Sequence, residues 1–259
     1  MGRRDSYYAL ILLLLSVVPS RAETSCIDSA LLAHSTVSIT RFFDDAERAA
    51  QPDLLGIQGT GWFRSAARIV TVEHVVAAMG LSTGDWKVLT IHDGGESHSI
   101  PVRIQHVAGA GPEKLAVIEL QTAIASARSV PIRISPLAPD DRIVTMAYPN
   151  RQWRAVSGRF VQYATDGKLA GTGLLEIYEG DNRLVIDHGA SGAPVFDCEG
   201  RIAAVISTVI TQIFRTPFGE QRISTAWGTP NVVSVPIREL IGSLASELNP
   251  VEHSEFGRR

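Results

Sequence analysis

Cysteine is almost missing from this chain: Cys26 and Cys198 are its two. No CxxC pair is present, and that argues against a structural zinc site. No hydrophobic stretch, the twelve-residue run 7–18 included, reaches the roughly 20 residues that a membrane-crossing helix needs. Low-complexity tracts and exact repeats are absent. Basic charge is not in excess either: 24 Lys and Arg stand against 27 Asp and Glu, for a net charge of −3. A mildly acidic chain is a poor partner for nucleic acid. His92, His98 and His106 follow no compact ligand spacing, so surface histidines are expected rather than a metal centre, and no cofactor is implied.

What is present begins with a leader. Arg3 and Arg4 precede the apolar run 7–18, and Pro19-Ser20-Arg21-Ala22 offers small residues at the cleavage positions. Residues 1–22 therefore read as a signal peptide cut after Ala22, and the protein as periplasmic or secreted, with no membrane attachment afterwards. An oxidising compartment makes a Cys26–Cys198 disulfide the expectation, clipping an N-terminal arm (23–33) onto the second half of the chain; two separate thiols are the alternative.

From residue 34 onward, short alternating runs predominate. Strands are expected over 34–43, 57–64, 68–72, 87–92, 99–107 and 115–120, with a polar loop at 44–53 and one helical turn at 74–79. After a linker (121–130), further strands are expected over 131–134, 142–148, 154–164, 171–178, 183–186, 194–196, 201–211 and 232–237, with a hairpin or loop around 214–223. Leu240, Ile241, Leu244 and Leu248 recur at helical spacing, so a helix should close the domain over 238–248, before a polar tail at 250–259. Many strands with one terminal helix indicate an all-β protein of barrel type. Trp62, Phe63 and Trp86 are expected to pack the first barrel, and Trp153 and Trp227 to pack the core or its rim.

One stretch stands out: Asp187-His188-Gly189-Ala190-Ser191-Gly192-Ala193-Pro194-Val195. Glycines on both sides of Ser191 allow a turn that aims N–H groups beside a hydroxyl, as a nucleophile with an oxyanion hole requires. A second stretch, 68–76, ends an apolar strand on His74. Ser191 is not in the strand–turn–helix elbow of the α/β hydrolases, because Ala193 replaces the last glycine and Pro194 opens another strand.

Gly-Thr-Gly-Trp at 59–62, Val-Thr-Val-Glu-His-Val-Val at 70–76, Leu-Ala-Val-Ile at 115–118 and Gly-Ala-Ser-Gly-Ala-Pro at 189–194 together resemble a trypsin-like serine peptidase. Their wording is most similar to the bacterial HtrA/Do-like branch without a PDZ domain, and 231–237 resembles the strand that closes its second barrel. The resemblance implies two six-stranded antiparallel β-barrels (about 34–122 and 130–237) in a domain spanning 34–249. It also implies protein or peptide substrates, with Ser191 as nucleophile, His74 as base, and the Gly189 and Ser191 N–H groups as the oxyanion hole.

The third member departs from the family. Lys114 stands where an aspartate is expected, with Glu113 just before it. A lysine beside an imidazole opposes the imidazolium that forms during catalysis. Three readings follow: Glu113 reaches His74, another acid such as Asp93 or Glu73 substitutes, or the site is a dyad with weakened or lost activity. The competing functions are an exported endopeptidase, a peptidase-like peptide-binding protein, and a Ser–His esterase. By the same resemblance, Val185, Ser207, Thr208 and Val209 should line an apolar primary pocket.

Overall fold

Period-two alternation along β1 (Thr36–Phe42), β2 (Gly56–Ser65), β3 (Arg68–Val72), β4 (Lys87–His92), β5 (Ser97–Ala108) and β6 (Leu115–Leu120) turns one face of each strand inward. In a computed structural model describing residues 26–109, 111, 113–177, 189–209, 211–216, 219–224 and 230–241, these six close a barrel in the order β1-β2-β3-β6-β5-β4. Every pairing is antiparallel. Trp62, Phe63, Ile69, Val70, Leu89, Ile91, Leu115 and Ile118 are fully buried within it or against what packs on it. At roughly 25 cal/mol per Å² of apolar surface removed from water, this interior drives folding.

A second closed antiparallel barrel is formed by β7 (Arg142–Ala147), β8 (Arg154–Tyr163), β9 (Gly173–Ile177), β10 (Pro194–Asp197), β11 (Ile202–Val209) and β14 (Val232–Pro236). Its order is β10-β11-β14-β9-β8-β7. The protein is thus all-β, with two six-stranded barrels, and Arg238–Ile241 begins the closing helix. Asn231 enters β14 with its buried side-chain amide exchanging two hydrogen bonds with the Ile177 backbone, at 3.1 and 3.0 Å. A separate ribbon, β12 (Thr211–Thr216) with β13 (Gly219–Ser224), accounts for the expected hairpin.

Several expectations change. The segment 44–53 is not all loop: α1 (Asp45–Ala50) forms there, because Asp44 and Glu47 make a reciprocal capping box. Residues 131–134 make only one isolated bridge, Ile132 to Ile202. Ser29–Ser35 is 3-10 helix, so β1 starts later than expected. Trp86 is not barrel core; it lies on the outside, 39% exposed, under the Arg103 guanidinium. Trp153 is also 39% exposed, on the rim. The expected leader, the strand expected at 183–186, Trp227 and the rest of the helix expected over 238–248 lie outside the described residues.

Cys26 and Cys198 are joined in a disulfide, which ties the N-terminal arm to the turn after β10. Next to it, the buried Asp197 accepts from the Arg201 side chain and from the Arg201 and Glu199 N–H groups. Burial alone would raise its carboxyl; these partners outweigh that and hold it below the ordinary range. The two interiors are not sealed from each other. Val144, Met146, Phe196, Ile202 and Val205 of the second barrel belong to the same apolar cluster as the first barrel's core.

Candidate active site

His74 sits on α2 (Glu73–Ala78), a short helix that follows β3 directly. Val75 and Val76 are buried and anchor it, while the His74 ring is about half exposed. The Glu73 N–H donates to the Lys114 carbonyl at 2.8 Å, so the start of α2 is pinned to the residue before β6. Because β3 and β6 pair Val72 with Leu115, the segment before Leu115 is delivered beside His74.

In an extended chain successive side chains point to opposite sides. Lys114 accordingly turns away and lies 3.9 Å from the Glu73 carboxylate. Glu113 turns toward the cleft, with Oε2 3.8 Å from His74 Nδ1. That is an ion-pair separation, longer than a direct hydrogen bond. The same carboxylate oxygen accepts from the Ser207 hydroxyl. Ser207 is the extra residue of a bulge in β11, between the pairs Ile206–Ser234 and Thr208–Val233. Bulges re-aim side chains in this way. Ser207, expected as a pocket wall, thus spends its hydroxyl on Glu113.

Burial of the imidazole pulls the His74 pKa below its ordinary value; the Glu113 and Glu73 charges push it up without offsetting that. The shift favours the neutral imidazole of His74. Asp93 does not compete for it. It is buried in the β4–β5 turn, where it accepts from the Ser126 hydroxyl and the Glu96 N–H, beside a separate cavity of roughly 390 Å³. Glu73 is near His74 but faces Lys114.

Ser191 lies in the turn before β10. Its hydroxyl donates to the Ser207 carbonyl at 2.9 Å. Gly189 and Gly192 adopt φ values of 96° and 92°, left-handed conformations that a Cβ disfavours. At Gly192 a Cβ would also lie 1.9 Å from the Thr60 carbonyl oxygen and 2.1 Å from Thr71 Oγ1. Among the described residues the Gly189 and Ser191 N–H groups have no acceptor. They are free to meet an oxyanion.

Sequence reading missed Thr60, which holds this turn from the opposite barrel. Its N–H donates to the Ser191 carbonyl (2.8 Å) and its hydroxyl to the Gly189 carbonyl (2.6 Å). The hydroxyl accepts from the Tyr148 N–H (3.1 Å), and the Thr60 carbonyl accepts from Thr71 Oγ1 (2.7 Å). Thr60 is fully buried. The available signal was its place inside Gly-Thr-Gly, where close backbone approach leaves one side chain to carry polar contacts.

Ser191, His74 and Glu113 are thus linked through Ser207 where two barrels abut, and a model of the trypsin-like peptidase domain matches residues 59–205. The chain belongs to the trypsin-like peptidase family. Among solved structures it is similar to the active form of the Rv3671c protease from M. tuberculosis, at 17% identity, covering 84% of this chain and 82% of that one, with a TM-score of 0.56. It is also similar to an inactive form of that protease carrying a serine-to-alanine substitution (16% identity, 86% and 90% covered, TM-score 0.53). At this identity the likeness is one of fold. No curated protein matches the chain.

Of the remaining expected residues, Thr208 and Val209 are placed as backbone in β11, paired with β14. Val185 and His188 lie outside the described residues.

Proposed function

We propose that this trypsin-like peptidase is an exported serine endopeptidase whose triad is Ser191, His74 and Glu113. The observation that carries the reading is the position of Glu113, its Oε2 3.8 Å from His74 Nδ1 and hydrogen-bonded by Ser207. A glutamate one residue early, with one methylene more than aspartate, supplies the negative charge that Lys114 cannot.

On substrate binding, Ser191 rotates its hydroxyl from the Ser207 carbonyl to His74 Nε2. Ser191 Oγ attacks the peptide carbonyl while Nε2 takes the proton, giving a tetrahedral oxyanion held by the Gly189 and Ser191 N–H groups. The imidazolium returns the proton to the leaving amine as the C–N bond breaks, and water repeats the sequence on the acyl-enzyme. Glu113 stabilises the transient imidazolium. Val185, Ser207, Thr208 and Val209 flank an apolar primary pocket. Export is supported by the leader and by the Cys26–Cys198 disulfide.

The 3.8 Å gap also favours a second reading, a peptide-binding barrel pair with weakened catalysis. Labelling with a fluorophosphonate probe separates the two. The wild type should label at Ser191, and Ser191→Ala and His74→Ala should not; absence of wild-type labelling would overturn the peptidase reading. Labelling without cleavage of any peptide in a library would shift the assignment to an esterase.

A further inference from the structure

Both barrels close, so each of their strands has a neighbour on either side. The ribbon is different. Among the described residues β13 has one strand neighbour, β12, and the pair belongs to neither barrel. A two-stranded ribbon by itself is marginally stable in water, and a free strand edge is a template for another strand. Natural edges are commonly blunted by lysines, a proline or a bulge. β13 contains neither lysine nor proline. Its register with β12 runs unbroken from Thr211–Ser224 to Thr216–Gly219. The charges it does carry are of both signs, Glu220 and Arg222, two positions apart.

That spacing matters once two copies are brought edge to edge. Positions two apart in a strand share a face, so Glu220 and Arg222 lie on one face of the ribbon and Gln221 on the other. Identical strands related by a twofold axis perpendicular to the sheet pair antiparallel, each residue opposite the one equally far beyond the axis. With the axis on Gln221, Glu220 stands opposite the partner's Arg222, and Arg222 opposite the partner's Glu220. Both pairs are opposite in sign, and Gln221 meets its own counterpart. Moving the axis to Glu220 or to Arg222 sets that charge against itself. One register is thus attractive and its two symmetric neighbours are repulsive, which specifies the pairing. The same register extends an alternation already present, because Arg215 stands opposite Glu220 within the ribbon. The free edge of β12 offers no such match, since Arg215 is its one charged residue.

We infer that β13 is a dimerisation edge: it pairs antiparallel with β13 of a second copy of this chain, about Gln221, and joins the two ribbons into one continuous sheet. The occupant is a second copy because the charge pattern of the edge is complementary to itself under a twofold axis. Main-chain hydrogen bonds supply the attraction and the Glu220–Arg222 pairs fix the register. An interface made by one short edge lies at the small end of the size range, so the dimer is weak and reversible.

Sedimentation velocity on the whole chain, over about 1–200 µM, should show a monomer–dimer equilibrium. Arg222→Glu sets like negative charges across the axis, and Glu220→Arg sets like positive ones. Each variant alone should associate about tenfold more weakly than the wild type. An equimolar mixture of the two variants restores both opposite pairs and should regain the wild-type constant as a heterodimer. Hydrogen exchange gives a second readout: raising the wild-type concentration should slow exchange within 219–224, and Arg222→Glu should abolish that dependence. A wild-type chain that stays monomeric up to about 200 µM would overturn the proposal. So would single variants that associate as tightly as the wild type. A mixture that stays monomeric, while each variant melts at the wild-type temperature, would overturn it as well.

Discussion

The Thr60 hydroxyl donates to the Gly189 carbonyl at 2.6 Å, so a residue of the first barrel holds the turn that carries Ser191, the proposed nucleophile, in the second. Thr60→Val keeps the shape and removes the bond, and it leaves the buried Tyr148 N–H without an acceptor. An unmet buried group costs about 1–3 kcal/mol. Part of that should appear in the transition state, as a fall of roughly tenfold in kcat with KM little changed. Thr60→Ser should restore most of it. Steady-state kinetics on a chromogenic peptide decide the matter: a valine variant with wild-type kcat would remove Thr60 from the site's support.

Glu113→Gln keeps the size of the side chain and deletes its charge. Loss of an orienting acid from such a triad costs on the order of 10⁴ in turnover, and the ion-pair spacing here sets the expectation somewhat lower, at about 10²–10³. The pH profile gives an independent check. Glu113 raises the His74 pKa against a larger lowering by burial, so its removal lets that pKa fall further. The acid limb of kcat/KM, already below the ordinary histidine range, should move to lower pH in the variant. A shift to higher pH, or none with full activity, would rule out the assigned role.

Gly192→Ala should damage the nucleophile turn while sparing most of both barrels. The new methyl meets the Thr60 carbonyl and Thr71 hydroxyl oxygens, and φ stands at 92°. Overpacking and a left-handed alanine together should cost about 3 kcal/mol. Thermal unfolding and probe labelling at Ser191 should both report it; an alanine variant that labels at the wild-type rate would contradict the packing.

Reduction of Cys26–Cys198, or Cys198→Ala, should lower the melting temperature markedly. The cysteines are 172 residues apart in sequence, and the chain-entropy account assigns a loop of that order about 5 kcal/mol. Calorimetry with and without reductant measures it, and an unchanged melting temperature would show that the arm contributes nothing to stability.

Much of this architecture was legible from residue order. β6 follows the apolar run 115–120, α2 follows from residues 74–79, and the barrel class follows from short alternation with one terminal helix. The juxtaposition of His74 and Glu113 was readable only as one option of three. What excludes Lys114 is the side-to-side alternation ahead of β6, together with its ion pair to Glu73. Asp93 looked available because nothing in its sequence context reveals the Ser126 hydroxyl that occupies it. The bond from Ser207 to Glu113 was not readable because a bulge depends on a register mismatch between β11 and β14, and neither strand records that mismatch by itself. α1 was overlooked inside a polar run whose capping box could have been recognised from Asp44 and Glu47.

The shared apolar cluster that joins Phe196, Met146 and Val205 to the first barrel has a consequence for how the protein comes into being. His74 is made on one barrel and Ser191 on the other, and neither barrel completes its interior without its neighbour. The two halves should therefore melt in one cooperative transition, and an isolated first barrel should expose apolar surface and aggregate. During synthesis, a half-assembled chain holds His74 and Ser191 apart. In the proposed peptidase, hydrolytic competence would then arrive last, with the final closure of the fold, and the nascent protein would be spared from cutting itself or its neighbours.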